Sequence, residues 1–171
     1  MVRRRSRAAS TPALQVLADA AVVHRVHSFT AGDGAYGENA ARELGLLLKI
    51  SSNQVFKTLV IDLTAGRGSQ RRLAVAILPV TCSLSLKKVA TAFGTPKASM
   101  ADPADAQRST GYIPGGISPI GQKRPLPTVI DKSAQMFEEI FVSAGKRGLD
   151  VGLSPHDLAV VTNASFADIC A

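Results

Sequence analysis

A chain of 171 residues with 46% hydrophobic content can close one full core, and at that length a second domain is not required. The formal charge of +7 and a pI near 9.9 suit a polyanionic partner such as nucleic acid. Two cysteines outside any C-x-x-C spacing, three histidines outside H-E-x-x-H, and no apolar run near the roughly 20 residues of a membrane span argue against a disulfide framework, a metal mechanism and a membrane protein.

Residues 1–10 read as a basic, flexible tail carrying Arg3, Arg4, Arg5 and Arg7. No apolar segment follows them, so a secretory leader is not expected and a soluble, cytoplasmic protein is. Thr11-Pro12 opens a helix, with Thr as N-cap and Leu14, Leu17 and Ala18 at helical spacing. Residues 24–29 alternate like a strand, and a Gly32-Asp33-Gly34 turn leads to a helix over 36–46. Ser51-Ser52 caps the approach to Val55-Phe56, followed by the apolar strand 58–63. Gly66-Arg67-Gly68-Ser69 predicts a hairpin to an antiparallel strand over 72–79.

A short helix over 84–93 ends at Gly94, and Asp102-Pro103 starts another to about Gln107. Strands are expected at 128–131, 139–143 and 149–153, with a helical turn at 133–136 and a last helix capped by Ser154-Pro155. Hairpins mixed with helices predict an α+β protein whose sheet is mixed and largely antiparallel, not doubly wound.

Residues 111–121, GYIPGGISPIG, put four glycines and two prolines into one apolar run. Such a backbone can meet a ligand closely and aim N–H groups at it; the same composition also makes a plain tight turn. Lys57 interrupts the apolar stretch Val55-Phe56-Lys57-Thr58-Leu59-Val60-Ile61. By alternation it projects to solvent; alternatively its ammonium faces a cleft and holds a phosphate or an oxyanion. Ser118 does not sit in a G-x-S-x-G elbow, which disfavours a Ser-His-Asp triad. Tyr112 can stack on an unpaired base or pack in the core. A catalytic role for Cys82 or Cys170 is not expected.

Taken together, VFKTLV, GGISPIGQK and VSAGKRGLD, in this order, resemble the YbaK/EbsC group of free-standing trans-editing proteins, from about Thr11 to about Ile169. The resemblance implies one editing domain over 11–171, with a curved or barrel-like sheet surrounded by helices. It implies a deacylase that cleaves the aminoacyl ester at the 3′-terminal CCA end of mischarged tRNA, without a cofactor or a metal. It makes Lys57 the catalytic residue and Gly115 and Gly116 part of a Gly-x-x-x-Pro loop, with Ser118, Ser143 and Asp150 positioning the substrate. Tyr36 and His27 occupy positions similar to pocket-lining aromatics, His27 departing from the usual residue type. The branch that GGISPIGQK most resembles acts on Cys-tRNA(Pro), with Cys-tRNA(Cys) as a further substrate, the substrate thiol attacking its own carbonyl, and prolyl-tRNA synthetase is a partner it suggests. An editor of another amino acid such as alanine, and a non-catalytic RNA-binding module, are the alternatives. Residues 46–54 are longer than the corresponding link in the group, which leaves the placement of the preceding helix against Lys57 open.

Overall fold

The computed structural model describes residues 10–32, 36–64 and 71–171. The basic tail, most of the Gly32-Asp33-Gly34 turn and the Gly66 to Ser69 connection lie outside the described residues. Among the described residues, five α-helices and two sheets make up the fold: α1 (Pro12–Asp19), β1 (Arg25–Ser28), α2 (Tyr36–Leu48), β2 (Phe56–Asp62), β3 (Leu73–Pro79), α3 (Leu86–Ala92), β4 (Ser99–Met100), α4 (Pro103–Thr110), β5 (Thr128–Asp131), β6 (Ile140–Lys146), β7 (Leu149–Leu153), α5 (Pro155–Thr162) and β8 (Ser165–Ala167).

Local chemistry sets the helix starts. Thr11, Asp102 and Ser154 each accept a backbone N–H of the first turn, and each precedes a proline whose missing N–H costs nothing there. The Thr11 hydroxyl also donates to the Ala144 carbonyl, tying α1 to β6. α4 runs three residues beyond the expected Gln107, to Thr110, and stops where Gly111 turns left-handed at φ 78°. Ser51 and Gln54 form a reciprocal capping box around the single 3-10 turn Ser52–Gln54 before β2.

The α+β class and the mainly antiparallel pairing agree with the sequence. The strands divide into two sheets, ordered β1-β7-β6 and β4-β2-β3-β5-β8, and no closed barrel forms among the described residues. Four pairings are antiparallel; β3 with β5 and β5 with β8 are parallel. A bridge between Val55 and Phe141 links the sheets where β2 begins.

Alternation along the strands builds layers. Val75 and Ile77 of β3 and Val142 and Val151 of the smaller sheet point into one core, closed by Leu17 of α1 and Leu158 of α5. Ala74, Ala76 and Leu78 face the opposite way and pack under α3 with Val89. On the outer face of the small sheet, Phe141 meets Ala40, Ala41 and Leu44 of α2. That contact fixes α2 against Val55, and so beside Lys57, which the sequence had left open. The residues beyond Leu44 continue α2 to Leu48, ending at Lys49, with Leu46 and Leu47 exposed. Among the described residues, no helix is long and apolar enough to cross a membrane.

Candidate functional site

A cleft of about 120 Å³ lies beside the Val55–Phe141 bridge, lined by residues of both sheets. Among the described residues, β4 pairs with Ile61 and Asp62 and does not extend along β2 to Lys57 and Thr58. The cleft is walled by the start of α2, the start of β2, the β6–β7 turn and the glycine loop; Tyr36, Lys57, Gly115, Ser143 and Asp150 all line it.

Lys57 is half-buried, and its ammonium has no carboxylate within 4.0 Å among the described residues. An ammonium partly withdrawn from water without a counter-charge favours an anionic or strongly polarised oxygen beside it. Next to it, the Thr58 hydroxyl is buried and has no hydrogen-bond partner among the described residues.

The glycine loop threads a narrow passage. Gly115 adopts φ 81°, and a methyl group there would lie 2.6 Å from the Tyr36 ring; one at Gly116 would lie 3.0 Å from the Arg147 backbone nitrogen. Two adjacent glycines let the loop pass between an aromatic ring and the turn joining β6 to β7. The Arg147 guanidinium stacks 4.6 Å above Tyr36, and its Nε donates to the Pro114 carbonyl. Inside the loop, the buried Tyr112 hydroxyl donates to the Ile120 carbonyl at 2.8 Å. Tyr112 therefore packs in the core instead of offering a face to a base, and burial pushes its hydroxyl up to about 12.

Asp150 sits mid-sheet on β7, opposite His27 on β1 and Ser143 on β6. Directly opposed residues share a face, so the three side chains cluster on the side that α2 partly covers. Burial pushes the Asp150 carboxyl up to about 7. The acid therefore exchanges its proton near neutral pH. Ser143 accepts the Gly145 N–H at 3.2 Å, bracing the bulge between Ser143 and Lys146, and keeps its own O–H to donate.

Three expected site residues do not line the cleft. Ser118 is fully buried with its Oγ accepting the Ile120 N–H, so its side chain closes the loop on itself and does not reach a substrate. Gly116 supports the loop from behind, against the Lys146 and Arg147 backbone. His27 stands behind Asp150 with its ring 5.9 Å from Phe141, and its Nε2 is buried without a partner among the described residues. Conversely, Thr58, Asn39 and Arg147 line the cleft and were not singled out as site residues. The places of Thr58 in VFKTLV and of Arg147 in VSAGKRGLD are the available signals; Asn39 carries none.

Cys82 and Cys170 lie under the other face of the large sheet and do not line the cleft. Burial, together with the neighbouring Cys82 and Asp131, raises the Cys170 thiol, and a protonated thiol is a poor nucleophile. Among the described residues, no cluster of three or more metal-capable side chains occurs.

The family model described as the aminoacyl-tRNA editing domain matches residues 37–160. A protein of Enterococcus faecalis whose name assigns it Cys-tRNA(Pro)/Cys-tRNA(Cys) deacylation, EbsC, is 37% identical over 160 residues, covering 93% of this chain and 92% of that protein. Among solved structures, one described as a trans-editing enzyme for prolyl tRNA synthetase superposes with a TM-score of 0.72 at 23% identity, covering 86% of this chain and 87% of the other. The protein APE2540 superposes with a TM-score of 0.79 at 18% identity, covering 94% and 100%. These two structural likenesses concern the fold.

Proposed function

The chain belongs to the aminoacyl-tRNA editing domain family, and from that premise we propose that it is a trans-editing deacylase acting on cysteine esterified to tRNA(Pro), with residues 11–171 forming the single editing domain. The observation that carries this reading is the convergence of Lys57 and Gly115 on one small cleft. Its volume of about 120 Å³ is well below the roughly 300 to 1,000 Å³ of pockets for drug-sized ligands. A hollow of that size suits a short side chain.

In this account the ester enters between Lys57 and the glycine loop. The Lys57 ammonium holds the carbonyl oxygen or the neighbouring phosphate, and loop backbone stabilises the charge that grows on the carbonyl. No protein nucleophile is needed. The substrate thiol attacks its own carbonyl carbon, the bond to the ribose oxygen breaks, and the thiol proton ends on that oxygen, releasing a thiolactone and free tRNA. Asp150 and Ser143 orient the amino group. An ammonium delivered beside Asp150 supplies the counter-charge its buried carboxyl lacks, so binding would favour the ionised acid.

Incubation with Cys-, Ala-, Ser- and Pro-charged tRNA(Pro), following loss of the aminoacyl group, tests the assignment. Preferential release of cysteine is expected. Preferential release of alanine would move the substrate within the family, and no release from any ester would leave an RNA-binding module. Prolyl-tRNA synthetase is the partner to include in the same assay, because selection of the tRNA has no assigned residue in the cleft.

A further inference from the structure

A second hollow, of about 420 Å³, opens at the start of β3, lined by Arg71, Leu73, Asp105, Arg108, Ser109 and Arg124. We propose that it is the docking site for backbone phosphates of the acceptor stem of the tRNA whose 3′ end enters the cleft; the identity of the ligand rests on the editing reading above.

The chemistry is that of backbone binding. Three guanidinium groups converge, and all three are exposed to solvent. Arg71 Nη1 is held at 2.9 Å by Asp62 and Arg108 Nη1 at 3.5 Å by Asp105, while Arg124 has no carboxylate partner among the described residues. A guanidinium steadied by one carboxylate at one nitrogen keeps other N–H groups to offer, in the planar fork that suits phosphate oxygens. Among the described residues, no aromatic side chain lines the hollow, which gives it no stacking surface with which to read unpaired bases.

Its position relative to the cleft is what selects the acceptor stem. Leu73 lies five residues along β3 from Leu78, the register partner of Lys57. At a strand rise of about 3.4 Å per residue this is ~17 Å. Along one stacked strand, at about 3.4 Å per nucleotide, it equals about five nucleotides. Counted along this backbone path, an ester held at Lys57 would set phosphates near the junction of single strand and duplex within reach of the arginines. One stretch of chain joins the two places: Arg108 and Ser109 border the hollow, and the loop that follows carries Gly115 and Ile117 into the cleft. Backbone bonds from Lys123 to Thr110 and from Arg124 to Ser109 lock the far end of the same loop onto α4.

The test compares the wild-type chain with Arg124→Glu and Arg108→Gln, using fluorescence anisotropy on an uncharged acceptor-stem minihelix ending in CCA and on the CCA trinucleotide alone. Each variant should weaken minihelix binding by about tenfold near 0.1 M salt and lower the slope of log Kd against log salt by about one. Trinucleotide binding, and release of cysteine from cysteinyl-CCA, should stay at wild-type values. Inorganic phosphate at matched ionic strength should compete only weakly; saturating competition would make the hollow a free-anion site and overturn the assignment to RNA. Unchanged minihelix binding in both variants, or equal loss on the trinucleotide, would also overturn it. Because anisotropy uses uncharged RNA, failure of the wild-type chain to cleave any ester would end the editing reading without deciding this one.

Discussion

Gly115 and Tyr36 are in backbone-to-ring contact, so close that a methyl group on Gly115 would lie 2.6 Å from the ring. Gly115→Ala must push Tyr36 away from Arg147 and also hold a side chain at φ 81°. The left-handed conformation alone costs about 1 to 2 kcal/mol. We expect a lower melting temperature and, measured well below it, a fall in kcat/KM of at least about tenfold, since a misplacement of about 1 Å is enough to cost more than that. A variant with wild-type kinetics would show that the contact does not shape the cleft.

Ser118 and Ser143 should separate cleanly. Ser118→Ala leaves the buried Ile120 N–H without its acceptor, which costs about 1 to 3 kcal/mol of stability. Its kcat should be unchanged at temperatures where it is folded. Ser143→Ala, at a residue lining the cleft, should raise KM or lower kcat. Steady-state kinetics beside thermal melts distinguish the two, and a rate defect confined to Ser118→Ala would contradict the geometry.

Asp150 predicts a pH dependence of definite sign. Its folded carboxyl is raised from 3.8 to about 7, so between these values the folded state holds a proton that the unfolded chain has lost. The stability this contributes is fully present below about pH 4 and disappears as pH rises through about 7. Asp150→Asn should flatten that slope in melts from about pH 4 to about pH 8. It should also remove a rising limb of kcat/KM near pH 7, where His27, Lys57 and Arg147 are the other nearby groups able to carry charge. An unchanged slope in the variant would show that Asp150 is not the titrating group.

Arg147 holds two things at once, the Tyr36 face and the Pro114 carbonyl. Arg147→Ala should raise KM several-fold with little change in melting temperature, because an exposed cation–π contact is worth about 0.5 to 1 kcal/mol. Lysine has no planar face to lay on the ring, so Arg147→Lys should not restore the wild-type KM. Full restoration would reduce the role of Arg147 to its charge.

The legible parts of the fold were the local ones. Thr11-Pro12, Asp102-Pro103 and Ser154-Pro155 announced helix starts because a cap is satisfied within three residues. α4 runs past its expected end because Arg108, Ser109 and Thr110 carry no apolar period, and Gly111 is what stops the helix. β4 and β8 gave no signal: one is two exposed residues, and the other is fixed by parallel pairing to distant β5. In the candidate site, Lys57 and Gly115 each break a local pattern, but alternation alone sends Lys57 to solvent and the glycine run alone reads as a tight turn; the motif blocks around them are what single them out. That His27 stands behind Asp150 follows from the register of β1 on β7, and the inward turn of Ser118 follows from how its loop closes; neither is written in neighbouring residues.

In the proposed reaction the Lys57 ammonium and the glycine loop act together on one ester. Single-turnover deacylation of Cys-tRNA(Pro) by Lys57→Ala, with melting curves beside it, tests this most directly. Cysteine release is expected to fall to the uncatalysed rate in a protein that melts like the wild type. Release at the wild-type rate by a folded Lys57→Ala protein would contradict it.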